Sequence, residues 1–249
     1  MIEPLVIATY RLRDYQQPDR PDRRRDELME QVILDSEADI IAVQGLPGEP
    51  ALFRMARETR LHCHTHHGTP TIAAAGGAGL GILWRPDIRP VPGTWWPATD
   101  QPFRYGLTWL TLDAYGSPIT IANYHAPPAG ETHQTRREAG LLTTALGHHD
   151  HDVFLTGTWP TPNDREPERI LHAAGFHDTA TTCGGHWQPT TGHWPGDPHG
   201  DQRPDRIHHR NNPARTGRIR RHTVEDTALG WAASDHLLVA VEYQPARSA

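Results

Sequence analysis

The sequence has 249 residues, 36% hydrophobic and 22% charged, with 22 Gly and 23 Pro; this suits a globular chain with a sizeable core and excludes fibrous or wholly disordered classes. All 24 basic residues are Arg, set against 30 acidic residues for a formal charge of −6, so a uniformly basic nucleic-acid coat is excluded and any polyanion site must be local. Without lysine there is no Schiff base and no P-loop lysine, and two cysteines, Cys63 and Cys183, are too few for a disulfide framework or a four-cysteine zinc site.

In chain order, the apolar run 5–9 predicts a first strand. Residues 26–34 place Leu28 with Val32 and Met29 with Ile33 four apart, the stripe of an amphipathic helix capped by Asp26. Strand-length apolar runs follow at 40–44, 79–84, 107–112 and 118–124. A helical pattern at 135–146, a strand at 153–156, a short helix at 167–174 closing on Gly175 and a last strand at 237–243 complete the reading. The Gly/Pro-rich stretches 86–102 and 184–204 read as long loops, and no composition shift marks a linker, so residues 1–249 are expected to form a single domain. No stretch reaches the roughly 18 apolar residues of a membrane helix, and the N-terminal run has no basic n-region, so the expected location is cytoplasmic with no membrane partner.

Seven segments, in order from residue 5 to residue 243, resemble motifs of the endonuclease/exonuclease/phosphatase superfamily, the DNase I-like metal-dependent phosphodiesterases. Val6-Ile7-Ala8-Thr9-Tyr10-Arg11 is similar to a strand ending Thr-Tyr-Asn, and Asp39 to Gly45 to an aspartate, an apolar run and Gln-Glu. Gly79 to Pro86 resembles the strand that follows, and Asn123-Tyr124-His125 the strand that ends in histidine. Gly157-Thr158-Trp159-Pro160 stands where the family writes Gly-Asp-Phe-Asn, Arg206-Ile207-His208-His209 is set against Arg-Ile-Asp-Tyr, and Ser234-Asp235-His236 keeps Ser-Asp-His. The resemblance implies an α+β fold: a four-layer αββα sandwich of two mostly antiparallel sheets, with the strands at 5–9 and 40–44 central and the strand at 237–243 in the same sheet as the first.

The resemblance also implies a site. In the family an oxygen-ligated divalent metal neutralises the phosphate and activates water. The retained catalytic positions are His125, Asp235 and His236; the replaced ones are Arg11, Gly45, Thr158, Pro160 and His208, the last set against the aspartate that orients the catalytic histidine. Asp235 is the remaining expected metal ligand, and a divalent Mg, Mn or Zn ion is expected only if the protein is an active hydrolase. Arg11, a permanent cation, repels a metal and suits a pair with Asp235 or a ligand phosphate.

The segment from Arg203 to His222 holds seven arginines against one aspartate. With Arg11, its Arg206 and Arg210 are the expected phosphate-binding residues, and a nucleic acid or another phosphate-containing ligand is the expected partner. An equally simple reading is a solvated arginine-rich hairpin. His62, His64 and His66 alternate as on one strand face, but an exposed histidine-biased strand end is the simpler reading because no carboxylate or paired Cys completes a metal set. The functional expectation is a catalytically degenerate phosphodiesterase, a pseudoenzyme that binds a phosphate-containing ligand or regulates. The alternatives are an active enzyme with altered metal ligands or a metal-independent His/Arg acid–base chemistry, and an ordinary phosphodiesterase whose missing acids come from Glu49 or Asp164.

Overall fold

Side chains alternate across a strand, and in β1 (Leu5–Arg11) that period sends Leu5 and Ile7 to one buried layer and Ala8 and Tyr10 to another. A strand covered on both faces reads as a continuous apolar run, and the rest of the architecture supplies the two covers. The computed structural model describes residues 3–13, 23–65, 79–95, 102–128, 130–159, 165–184, 188–194, 200–212 and 217–246.

Two six-stranded sheets pack face to face. The first runs in the order β11 (Arg218–Val224), β12 (Val239–Gln244), β1, β2 (Ile40–Leu46), β4 (Gly79–Trp84), β3 (His62–Thr65). The second runs β5 (Arg89–Trp95), β6 (Leu107–Ala114), β7 (Ser117–His125), β8 (Asp152–Thr158), β10 (Asp205–Arg210), β9 (His177–Asp178). Only β1–β2 and β7–β8 are parallel among the described pairs. Between the sheets lie Ile7, Ile40, Ile82, Leu112, Ile121, Phe154, Ile207 and Val241. Helices α1 (Arg23–Asp35), α2 (Glu49–Thr59) and, later in the chain, α6 (Ala228–Ala233) cover the outer face of the first sheet. Helices α3 (Thr132–Leu146) and α4 (Glu166–Ala173) cover that of the second, and the short α5 (Thr179–Thr182) follows β9. The result is the expected αββα sandwich, with β1 and β2 central and β12 paired antiparallel to β1 from Leu5↔Tyr243 to Thr9↔Val239. No described helix is long and apolar enough to cross a membrane.

Three local readings change. Residues 89–95, expected within a loop, form β5; its prolines are tolerated because it is an edge strand, and its register slips between Pro90 and Trp95. Helix α2 went unread, although Leu52, Met55 and Ala56 give it a buried stripe behind Pro50 in its first turn. The arginine-rich segment is not a hairpin: β10 belongs to the second sheet and β11 is the edge of the first.

Polarity rises along the inner faces of the central strands. After the apolar layer comes an amide layer: Gln44 Nε2 donates to Thr9 Oγ1 (3.0 Å) and across the sandwich to Asn123 Oδ1 (2.7 Å). Asn123 Nδ2 donates back to the carbonyls of Val43 and Gly81, both at 2.9 Å. Four strands from two sheets are thereby held in one register, with every group buried. Replacing Asn123 by Leu removes one acceptor of the Gln44 amide and the side-chain donor to the Val43 and Gly81 carbonyls, so Asn123→Leu is expected to cost about 3 kcal/mol of stability, read from urea unfolding midpoints at constant m-value.

Candidate functional site

One layer further along, the same inner faces carry charge. Arg11 ends β1, His125 ends β7, Thr158 ends β8 and Asp205 begins β10. Register places His125 opposite Thr158 and Thr158 opposite Asp205. The preceding residue, Gly157, has φ +134°, and a Cβ there would lie 1.8 Å from the Tyr124 carbonyl oxygen, so only glycine lets β8 approach β7 closely enough. His236 arrives from the turn between α6 and β12, whose Ser234 donates through Oγ to the Arg11 carbonyl (2.9 Å).

The centre of this layer is the fully buried Asp205. Its Oδ1 accepts from Thr158 Oγ1 (2.9 Å), and its Oδ2 accepts from Thr190 Oγ1 (2.6 Å) and His236 Nδ1 (2.7 Å). Burial alone would raise the Asp205 pKa, but the His236 imidazole, the Thr190 hydroxyl and the Arg11 charge together hold it below the usual carboxylate value. An ionised Asp205 can only accept, so His236 donates through Nδ1, and in the neutral ring the lone pair sits on Nε2.

His125 is set the other way. Burial, then the Arg11 guanidinium and the nearby His236 ring, push its pKa down to about 3 against a smaller opposing pull from Asp205. Its buried Nδ1 has no hydrogen-bond partner among the described residues, and the Tyr105 ring lies against it at 5.6 Å between centroids. The half-buried Arg11 guanidinium makes no hydrogen bond or ion pair among the described residues. The site therefore offers one uncommitted guanidinium beside a neutral imidazole and a carboxylate-oriented one.

No protein-family model matches the sequence, and no curated protein matches it. Solved structures do. An endonuclease/exonuclease/phosphatase from Bacteroides vulgatus superposes with a TM-score of 0.77 over 97% of this chain and 99% of that one, at 15% identity. The chain has the endonuclease/exonuclease/phosphatase fold. A Bacteroides thetaiotaomicron protein described as of that family gives a TM-score of 0.72 at 18% identity, covering 96% of this chain and 94% of that one. D. rerio TDP2, in a complex with a single-strand DNA product, gives 0.71 at 15% identity over 97% and 99%.

On this endonuclease/exonuclease/phosphatase fold several expected site residues stand elsewhere. His208 does not face His236. Ile207 packs between the sheets, so Asp205 and His209 share its face while Arg206 and His208 face α4. The aspartate on the histidine is therefore present as Asp205, three residues before the position first assigned, and His208 instead meets Glu168 at 2.9 Å. The period of two was the available signal. Arg206 is buried, donating to Glu168 and the Arg203 carbonyl, and Arg203 is paired with Asp178. Arg210 donates to the carbonyls of Leu146 and His149 and lies over the Phe176 ring. Arg206 is enclosed and paired, and Arg210 spends Nη2 on backbone carbonyls, whereas Arg11 makes no such bond among the described residues. Asp235 pairs with Arg13 (2.9 Å), not with Arg11. Pro160, Asp164, His66 and His67 lie outside the described residues, while His62 and His64 belong to the edge strand β3.

The described residues do not fit a divalent metal. Arg11 stands where the resemblance puts an asparagine ligand, and Asp235 is engaged by a second arginine. Gly45, where it puts a glutamate, has φ +86°, and a Cβ there would lie 2.3 Å from the Leu12 carbonyl oxygen. Among the described residues no three His, Cys, Asp or Glu side chains converge on a common point. Gly45→Glu is therefore expected to lower the urea midpoint by the equivalent of about 2 kcal/mol or more without creating Mg²⁺ affinity in a calorimetric titration.

A pH dependence also follows. The unfolded chain protonates His125 near 6.5, whereas the folded chain resists until about 3, so its neutral burial stabilises fully above 6.5 and progressively less as the pH falls through that window. His125→Gln should flatten the acid limb of the stability profile by about 2 kcal/mol between pH 7 and pH 5, measured by urea unfolding of both proteins at each pH.

Proposed function

We propose that this protein is a catalytically degenerate relative of the endonuclease/exonuclease/phosphatase phosphodiesterases, binding a phosphate-containing ligand at the Arg11 end of the sandwich as a cytoplasmic binding or regulatory protein. The observation that carries the reading is the Arg11 guanidinium, uncommitted among the described residues and placed where the resemblance calls for a metal ligand. A guanidinium satisfies a phosphate with fixed donors and permanent charge, and so replaces the cation in binding but not in activating water. The neutral His125 and the His236 Nε2 edge supply further polar contacts beside it. Thr158 replaces the acid of the Gly-Asp-Phe-Asn motif, and its hydroxyl is spent on Asp205.

One observation favours a second reading, a metal-independent acid–base enzyme: the Asp205–His236 pair is intact at 2.7 Å and gives His236 the orientation a general base needs. A single experiment separates the two. Hydrolysis of bis(p-nitrophenyl) phosphate is followed in EDTA, Mg²⁺, Mn²⁺ and Zn²⁺ for wild type, Asp235→Ala and His236→Ala, alongside inorganic phosphate binding by wild type and Arg11→Gln. The proposal expects phosphate binding weakened at least about tenfold by Arg11→Gln, the loss of one charged hydrogen-bonded contact, and no turnover above the variants' background. Turnover in EDTA that His236→Ala abolishes would establish the second reading. Mg²⁺-dependent turnover abolished by Asp235→Ala would overturn both.

A further inference from the structure

At the end of the first sheet away from Arg11, the closing turns of α1 and α2 meet the start of β2 and the residue after β4 around an open cleft of about 520 Å³. Small-molecule sites run from roughly 300 to 1,000 Å³, so the size suits a compact ligand. Val6, Ile33, Leu34, Ala38 and Leu61 give it apolar walls, and Leu34 is 41% exposed there. Its polar groups divide into spent and free. Asp39 is buried and accepts from the Val6 amide and from Arg85 Nη1, both at 2.7 Å. Arg85 also forks onto Asp87 through Nε and Nη2, both at 2.9 Å, and reaches the Tyr115 hydroxyl. Glu37 and Arg60 line the cleft exposed, and neither side chain makes a hydrogen bond or ion pair among the described residues.

Backbone strain gathers at the same place. Glu37, Arg60 and Tyr115, with φ of +51°, +58° and +57°, are the non-glycine residues in the left-handed region among the described residues. Two of them line the cleft, and the third holds Arg85, which lines it as well. Glycine is the low-cost residue where a helix closes in this conformation, as α2 does at Arg60. Charged side chains stand there instead at both helix ends that border the cleft, and strain of this kind clusters at ligand clamps.

We propose that this cleft binds a small zwitterion with an apolar side chain, an apolar amino acid or dipeptide, with its ammonium at Glu37, its carboxylate on Arg60 and its side chain against Leu34 and Leu61. The site is separate from Arg11, so the inference goes beyond the phosphate-binding reading and does not rest on it. Charge argues for the occupant. One free carboxylate and one free guanidinium stand beside apolar walls, and a phosphate, a simple amine or a neutral hydrocarbon would satisfy only part of that set. The guanidinium offers a carboxylate its fixed fork of donors. The C-terminal ends of α1 and α2 add partial negative charge, which favours the ammonium.

The test is calorimetric titration of the full chain with L-leucine and with L-leucyl-L-leucine, which separates the two sources of the same chemistry. N-acetyl-leucine, leucinamide and glycylglycine then remove in turn the ammonium, the carboxylate and the apolar side chains. The inference expects leucine or leucyl-leucine to bind at one site per chain and each of the three analogues to bind about fivefold more weakly or worse, the upper size of one exposed ion pair. Glu37→Gly and Arg60→Gly should each weaken binding by a similar factor while their urea midpoints hold or rise, because glycine relieves the left-handed backbone. Weaker binding by a protein of undiminished stability cannot come from a damaged fold. Absence of binding by both leucine and leucyl-leucine, or equal binding of the analogues, would overturn the inference. A fall in either midpoint would show that these side chains serve the fold and would overturn it as well. Binding unchanged in Glu37→Gly and Arg60→Gly but lost in Arg11→Gln would place the carboxylate at the phosphate site, overturning the inference and leaving the phosphate-binding reading intact.

Discussion

A carboxylate enclosed in protein is costly unless every oxygen is occupied, and Asp205 meets that demand with donors from three separate parts of the chain. Thr158 reaches it from the neighbouring strand, Thr190 from the loop before β10 and His236 from the turn before β12 in the other sheet. Satisfying this one charge therefore fixes the relative position of both sheets at the site edge. It also aims the His236 ring and brings the Thr190 loop, with Trp194 on it, over the end of β1. Burial first, then Arg11 and His236, keep the adjacent His125 neutral against the pull of the enclosed Asp205 charge.

The sandwich prepares this layer by grading polarity along its inner faces. Apolar side chains fill the middle, the Thr9–Gln44–Asn123 amides come next, and charged groups stand at the edge. Desolvation is thus introduced in steps, and each step is satisfied before the next begins. The glycines Gly45 and Gly157 sit where two backbones approach too closely for a Cβ, on either side of the gap between the sheets. At Gly45, where the resemblance calls for a glutamate, the positive φ and the close Leu12 carbonyl exclude any side chain unless the backbone changes. Arg11 and Gly45 are neighbours across the β1–β2 ladder, where Arg11 faces Gln44, so the two positions at which the resemblance calls for an asparagine and a glutamate lie together in the fold.

The arginine-only composition has a structural counterpart. Guanidiniums with fixed forks suit buried carboxylates, and Arg203 and Arg206 are consumed in that way beneath α4 and beside β9. The basic charge of the 203–222 segment is consequently divided between a buried network in one sheet and the exposed edge strand β11 in the other, where Arg218, Arg220 and Arg221 also guard an open edge against strand pairing. What the linear count suggests as a single patch is two features with different physical roles.

The sequence by itself determined seven of the strands, the central ones among them, their burial on both faces and the order of motifs, because these follow from short-range periodicity and from apolar runs that only a covered sheet accommodates, while edge strands such as β5, rich in Pro, do not carry that pattern. It also determined that Arg11 and Gly45 stand where other residues are expected, since both lie inside well-marked strands. Partnership was different. Whether Asp205 or His208 meets His236 depends on which face of β10 looks inward, and the segment alone is compatible with either until Ile207 is seen between the sheets. Whether Asp235 takes Arg11 or Arg13 depends on contacts between the two ends of the chain, and the fate of Arg206 and Arg210 on helices packed from elsewhere. Only the tertiary structure decides these, because a buried charge selects its partner by three-dimensional proximity and complete desolvation, neither of which is encoded in the spacing of residues along one strand.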